Sequence, residues 1–216
     1  MFMLSAVLAV NAQMFYPYPN IIWCMKVIAL NGSPRLIGNT GNILHEVSDV
    51  FEMEGIETEQ IQLYSSRLTL CNDCRSCEIR GDGRCILEDD DLNNIVDELR
   101  GADGIILASP CYYGSYSAQM KIFLERAGMI LEKGDKGLKR KVGGAIVVNA
   151  HDGGSMVYTQ LVHWMLRNQM IVCGGMPAPI VTALNSPQYQ NDKEGMKGVI
   201  GLAKEMAWAI TKLNGL

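Results

Sequence analysis

The chain has 216 residues, 48% of them apolar, and a formal net charge of −4. That length supports one well-buried domain rather than two. With no long basic run, nucleic acid is excluded as the natural partner; Lys139, Arg140 and Lys141 stand together, but so short a run beside a strand reads as a solvated loop.

Residues 1–24 open on an apolar stretch, Met1 to Val10. No Lys or Arg precedes it, as a secretory signal requires, and it is too short to span a membrane. Met25 stands directly before the first convincing strand and is the expected functional start, which makes 1–24 a disordered tail or an extension outside the mature protein. The pattern Ala9-Val10-Asn11-Ala12 keeps export as the alternative.

From Lys26 to Leu30 the chain is a short apolar strand ending in the loop signal Asn31-Gly32-Ser33-Pro34. Ile43, Leu44, Val47, Val50 and Phe51 then share one helical face, closed by Gly55. Glu59 to Leu63 alternates as a second strand. Residues 64–90 form a long, irregular, cysteine-bearing insertion, and Asp89, Asp90 and Asp91 offer N-cap acceptors to a helix carrying Leu92, Ile95, Val96 and Leu99. Gly104 to Ala108 is a continuous apolar strand, followed by the loop Ser109 to Tyr116 and a helix from about Ser117 to Ala127. Val142 to Val148 is another buried strand, and Asn149 to Gly154 leads into a helix with Val157, Leu161, Trp164 and Met165 on one face. Met170 to Cys173 is the fifth strand. A final helix carries Val199, Leu202, Ala203, Met206, Ile210 and Leu213 on one stripe.

Strands that alternate with helices, and that are apolar without alternation, mark a parallel sheet covered on both faces. The expectation is therefore α/β: a flavodoxin-like, doubly wound, five-stranded parallel sheet over 25–216, with the insertion after the second strand and ligands at the carboxyl edge.

Three loops leave carboxyl ends of strands. The first, Gly32 to Thr40, precedes a helix N-terminus, where free amides and the helix dipole favour an anion. Ser33, Asn39 and Thr40 add short donors and Arg35 a positive charge. The loop matches neither an ATP-binding P-loop nor a dinucleotide fingerprint, and a capped turn that binds nothing is its structural alternative. The second loop carries Pro110, Cys111, Tyr112, Tyr113, Gly114, Ser115 and Tyr116, which suit a flat ring with a polar edge; one of the tyrosines is expected to pack beneath the loop instead. In the third loop, Gly153 permits close backbone approach to a ring. His151 reads as a solvated loop histidine, with a proton relay as the alternative.

Of seven cysteines, four crowd into one stretch, and Cys24, Cys111 and Cys173 lie apart. Such clustering indicates metal binding in a reducing, cytoplasmic compartment. Cys71, Cys74, Cys77 and Cys85 read C-x2-C-x2-C-x7-C. Bacterial [4Fe–4S] sites use successive two-residue gaps, whereas zinc sites favour separated pairs. Zinc and free or disulfide-bonded thiols remain the alternatives, and Cys111 is a reserve ligand. Leaving the carboxyl end of the second strand, the insertion is expected on the same edge as the three loops.

Gly32-Ser33-Pro34-Arg35 with Asn39-Thr40 resembles the FMN phosphate loop of the NADPH-dependent FMN reductase superfamily. Ser109-Pro110-Cys111-Tyr112-Tyr113-Gly114-Ser115, with Lys121 and Arg126, is similar to that superfamily's ring-binding segment. The compact cysteine motif followed by Asp89-Asp90-Asp91 resembles its iron–sulfur flavoprotein branch. The resemblance runs from Met25 to the C-terminus. Two features depart from the family: Cys111 replaces a frequent Val, and the loop at His151 matches less well.

The resemblance implies FMN, a [4Fe–4S] cluster and a homodimer or homotetramer in which a cluster faces a neighbour's flavin. It implies that electrons arrive singly from a ferredoxin-type donor, cross the cluster and collect on FMN, which passes them on to acceptors such as oxygen or peroxide. No side-chain nucleophile or general base is needed. Two other readings stand beside it: an NAD(P)H-dependent FMN or quinone reductase without a functional cluster, and a zinc-binding or redox-sensing protein that is not an enzyme.

Overall fold

The computed structural model describes residues 25–87 and 89–215, so the expected extension over 1–24 lies outside the described residues. Five strand positions form the sheet. β1 (Lys26–Asn31) pairs in parallel with β2 (Glu57–Gln62) on one side and with β3 (Gly104–Tyr112) on the other. β3 pairs in parallel with β5 (Val142–Asn149), after the short β4 (Ser115–Tyr116) that folds back on β3.

Alternate residues of the central strands serve opposite faces, which gives the two layers of helices their cores. Val27, Ala29, Ile106, Ala108 and Ile146 join the core that includes buried faces of α1 (Asn39–Met53) and α6 (Lys193–Leu213). Ile28, Leu30, Ile105, Leu107, Ala145 and Val147 join the core with α3 (Leu92–Gly101), α4 (Ala118–Lys133) and α5 (Gly154–Arg167). Edge strand β2 carries Glu57, Glu59 and Gln60 on its exposed positions; charged side chains on an edge oppose pairing with another sheet.

The fifth strand position differs from the expectation. It is shared by β6 (Ile171–Val172), beside the start of β5, and β7 (Ile180–Thr182), beside its end. Gly174, Gly175, Pro177 and Pro179 lie between them, and glycine and proline weaken or remove ladder pairing. Met170 and Cys173 fall outside the strand. Strand β3 also continues past Ala108 to Tyr112, and α4 runs on to Lys133. Ser117 caps α4 by accepting from the Met120 amide at 3.3 Å, and Asp192 caps α6 by accepting from Gly195 at 2.9 Å. Among the described residues, no helix is long and apolar enough to cross a membrane.

The segment between β2 and α3 contains a single short helix, α2 (Ser76–Arg80). Its two ends are tied together. Arg67 and Asp91 exchange amide hydrogen bonds, Asp91 N to Arg67 O at 2.9 Å and Arg67 N to Asp91 Oδ2 at 2.8 Å. Thr69 donates to Asp90 Oδ2 from its hydroxyl at 2.8 Å and from its amide at 3.1 Å. Asp91 occupies the N-cap of α3 without a side-chain cap there, because its carboxylate is spent on Arg67. Asp90 instead receives the Leu92 amide at 3.2 Å.

Candidate functional site

A cleft of about 220 Å³ opens at the carboxyl edge of the sheet. Ser33, Arg35, Asn39 and Thr40 line it from the first loop, and Pro110, Cys111 and Tyr112 from the second. The third loop contributes Ala150, while Ala183 and Leu184 come from the chain just after β7. Those last two were not foreseen, because β7 itself was missed.

Ser33 is gripped from behind. The Asn31 side chain accepts from the Ser33 amide at 2.9 Å, and the Gln62 side chain donates to the Ser33 carbonyl at 2.8 Å. Its hydroxyl accepts from the Arg35 amide at 3.1 Å. Helix α1 begins at Gly38 with no side-chain cap, so its positive end is left to the cleft, where Asn39 and Thr40 are buried. Arg35 crosses to Leu184, donating to its carbonyl at 3.0 Å.

The second loop is a hairpin rather than an open loop. Cys111 pairs with Tyr116 and Tyr112 with Ser115, leaving Tyr113 and Gly114 as the two turn residues. Both have positive φ, 51° and 73°, as a type I′ turn requires. Tyr113 is fully exposed at the tip, Tyr112 is 42% exposed on the cleft side, and Tyr116 packs against the core beneath. Ser115 turns away, its hydroxyl 3.4 Å from Gln160 Oε1 of α5. Gly153, at φ 77°, precedes α5, and a side chain there would collide with Cys111 Sγ and Gly114. His151 is exposed. Tyr113, Gly114, Ser115, His151 and Gly153 thus frame the cleft without lining it. A wider groove of about 700 Å³ runs along α6 past Tyr189, Lys193 and Lys204; no strand end opens into it, and carboxyl-edge clefts are where ligands bind in such sheets.

Cys71, Cys74, Cys77 and Cys85 all line a second pocket, packed against Arg126, Met129 and Ile130 of α4. Cys71 and Cys74 are exposed at its rim, and Cys77 and Cys85 are half-buried. As placed, no three His, Cys, Asp or Glu side chains among the described residues are grouped to share one metal ion. The thiols differ in character: hydrogen bonds from Ser76 pull Cys74 below the ordinary thiol pKa, whereas burial pushes Cys77 above it.

The pocket's position corrects one expectation. Arg126 and Ile130 stand nine and thirteen residues beyond the Ser117 cap, which at 1.5 Å per residue puts the pocket about 14 to 20 Å down α4 from the ring hairpin. The cysteine segment leaves at the carboxyl edge but folds back along the helix. Lys133 pairs with Glu78 of α2 at 3.5 Å, and Gly134 packs on the backbone of Gly83 so closely that a side chain could not fit.

Arg126 is the residue the motifs misplaced. Expected with the ring-binding segment, it lies instead at the cysteine pocket, 2% exposed. It pairs with Asp90 and donates to the Thr69 carbonyl at 3.0 Å and to Cys85 Sγ at 3.1 Å. Burial alone would raise the Asp90 carboxyl, but Arg126 and Thr69 outweigh it and hold it below the usual carboxylate range.

The sequence model of the family described as NADPH-dependent FMN reductase matches residues 25–184. The chain belongs to the NADPH-dependent FMN reductase family. Within it, an iron–sulfur flavoprotein of Methanocaldococcus jannaschii is 41% identical over 152 residues, covering 69% of this chain and 76% of its own. One from Methanosarcina thermophila is 36% identical over 152 residues, covering 69% of this chain and 78% of its own. The chain is therefore placed in the iron–sulfur flavoprotein branch. Among solved structures, RosB with bound 8-demethyl-8-formylriboflavin-5'-phosphate superposes with a TM-score of 0.71 at 19% identity, over 88% of this chain and 81% of that one. A flavodoxin from the domain Archaea gives 0.57 at 15% identity, over 87% and 99%. At such identities the superpositions establish a shared fold, the flavodoxin-like sheet expected from the sequence.

Proposed function

We propose that this flavin-dependent oxidoreductase carries FMN and a [4Fe–4S] cluster and passes electrons singly through the cluster to the flavin. The observation that carries the reading is that Cys71, Cys74, Cys77 and Cys85, 14 residues apart in sequence from first to last, line one pocket in a chain of this family.

The residues present fit both groups. For FMN, the uncapped start of α1 with Ser33, Arg35, Asn39 and Thr40 suits a phosphate. Pro110, Cys111 and Tyr112 supply a ring wall, framed by Tyr113, Gly114, Ser115, His151 and Gly153. For the cluster, four thiols surround one pocket, and the buried Nε of Arg126 lacks an acceptor among protein atoms. Zinc sites favour two separated pairs of ligands, whereas Cys71, Cys74 and Cys77 follow one another at two-residue gaps. A four-iron cluster gives each thiolate its own iron and keeps the sulfurs apart. The pocket encloses about 30 Å³, and Cys71 and Cys74 stand on its exposed side.

When bound, FMN exchanges one or two electrons and the cluster one. The chain's own task is placement: α1 and the Asn31–Ser33–Gln62 grip hold the phosphate, the hairpin holds the ring, and the tied insertion presents the thiols. Membership of the iron–sulfur flavoprotein branch supports transfer to the flavin of a neighbouring copy in a homodimer or homotetramer fed by a ferredoxin-type donor, and the clustered thiols suit the reducing cytoplasm. The second reading, direct reduction of FMN by NAD(P)H with idle cysteines, is favoured by the family's description.

The test compares the whole protein with Cys77→Ser under a one-electron donor and under NAD(P)H. The proposal expects Cys77→Ser to keep FMN but to lose iron and slow flavin reduction by the one-electron donor more than tenfold. Equal rates in the two proteins would transfer the function to the NAD(P)H reading.

A further inference from the structure

Arg126 belongs to α4, yet its guanidinium serves the cysteine segment. One nitrogen, Nη1, meets Asp90 and the Thr69 carbonyl and hydroxyl, at 3.0 and 3.2 Å for the latter two. The other, Nη2, meets Cys85 Sγ at 3.1 Å. Nε is buried with no acceptor. The Arg126 and Asp90 side chains are 2% and 0% exposed. The only sulfur bonded to a fixed cation by these contacts is that of Cys85; exposed Cys71 and Cys74 stand on the rim.

A buried ion pair is costly to assemble and weak evidence of stabilisation in itself. This pair holds the two ends of the insertion to α4, while Nη2 shares itself between Cys85 Sγ and Asp90 Oδ1, the latter at 3.4 Å. The exchanged bonds of Arg67 and Asp91 already tie those two ends to each other.

We propose that Arg126 is a positioning residue for the cluster, fixing Cys85 as the preformed ligand and biasing the cluster toward its reduced form, with Asp90 as the counter-charge that limits the bias. The inference rests on the cluster reading above. Reduction takes one electron from a one-electron donor and adds one negative charge to the cluster; no proton moves, because guanidinium stays protonated throughout. N–H donors to cluster sulfurs and a nearby positive charge both stabilise the added charge and raise the potential. Removing only Asp90 leaves the cation unopposed and raises it further. Removing both charges while keeping polar groups lowers it.

The experiment is an anaerobic redox titration followed by electron paramagnetic resonance, with iron and sulfide counted and thermal melts recorded, on the whole protein, Asp90→Asn and the double variant Arg126→Gln/Asp90→Asn. The expected result is opposite displacement: Asp90→Asn upward, the double variant downward, each by about a tenfold shift in the reduction equilibrium, which is about 59 mV for one electron. Either variant that holds its cluster decides for itself. An unchanged potential, or displacement of both in one direction, overturns the proposal. Loss of iron from both variants with unchanged melts supports the positioning role, whereas loss of iron with clearly lowered melts overturns the proposal, because the pair would then serve the fold alone. Absence of iron from the unaltered protein is a separate result, seen first, and refutes the cluster reading instead.

Discussion

Asn93 holds Cys85 by both backbone groups at once. Its Oδ1 accepts from the Cys85 amide at 2.9 Å and its Nδ2 donates to the Cys85 carbonyl at 2.9 Å, so a side chain of the first turn of α3 stands in for a neighbouring strand. The expected cost of Asn93→Ala is about 2 kcal/mol from two half-buried hydrogen bonds. Chelator challenge should strip iron from that variant several-fold faster than from the parent protein, with FMN content unchanged.

The phosphate loop has a comparable support in Gln62, the last residue of β2, which donates to the Ser33 carbonyl at 2.8 Å. Gln62→Leu keeps the bulk and removes the donor. FMN titration followed by flavin fluorescence should show five- to tenfold weaker binding, equivalent to about 1 kcal/mol, with little change in melting temperature.

Tyr113 occupies a left-handed turn position, φ 51°, where a bulky residue is disfavoured and Asn is common. Its ring is fully exposed. Tyr113→Asn is expected to stabilise the apoprotein by about 1 kcal/mol through relief of backbone strain. If the ring contributes a wall to bound FMN, flavin affinity falls in the same variant, so the two measurements move in opposite directions.

These relationships show what could be read from the chain and what could not. The strands β1, β3 and β5 were legible because Val27–Leu30, Gly104–Ala108 and Val142–Val148 are apolar on both faces, as a covered parallel sheet demands. Ser33, Arg35, Asn39 and Thr40 were legible because a strand, a glycine turn and a helix start name a carboxyl-edge loop. The split fifth strand was not, since β6 and β7 are two and three residues long and carry no periodicity. The Tyr113–Gly114 turn was passed over because Tyr is unusual at its first central position, although Gly114 after alternating residues was a signal. Arg126 sits among helical residues, and nothing in local sequence says that a buried Arg of α4 will find Asp90, 36 positions earlier. The run Asp89-Asp90-Asp91 did suggest acceptors, but for α3 rather than for a cation across the fold.

The Asp90 carboxylate also sets an acid dependence. Its folded-state pKa is lowered, so it adds stability that is present above the ordinary carboxylate value of about 3.9 and is lost as pH falls through the lower folded value. In the metal-free protein, Asp90→Asn should therefore be less stable than the parent at pH 7. The gap should begin to shrink below about pH 4 and close once the pH has fallen through the lower folded value, where the folded parent's Asp90 takes up a proton as well. Urea melts across that range read the gap directly; a gap that is constant with pH would mean that Asp90 is not held as a carboxylate by Arg126.

The most direct test of the two-centre account is anaerobic purification with iron, acid-labile sulfide, zinc and flavin counted per chain, alongside the visible spectrum. The account predicts about four irons, about four sulfides and one FMN per chain, with cluster absorption beside the flavin bands. One FMN with no iron, or a single zinc held by the thiols of Cys71, Cys74, Cys77 and Cys85, would contradict it.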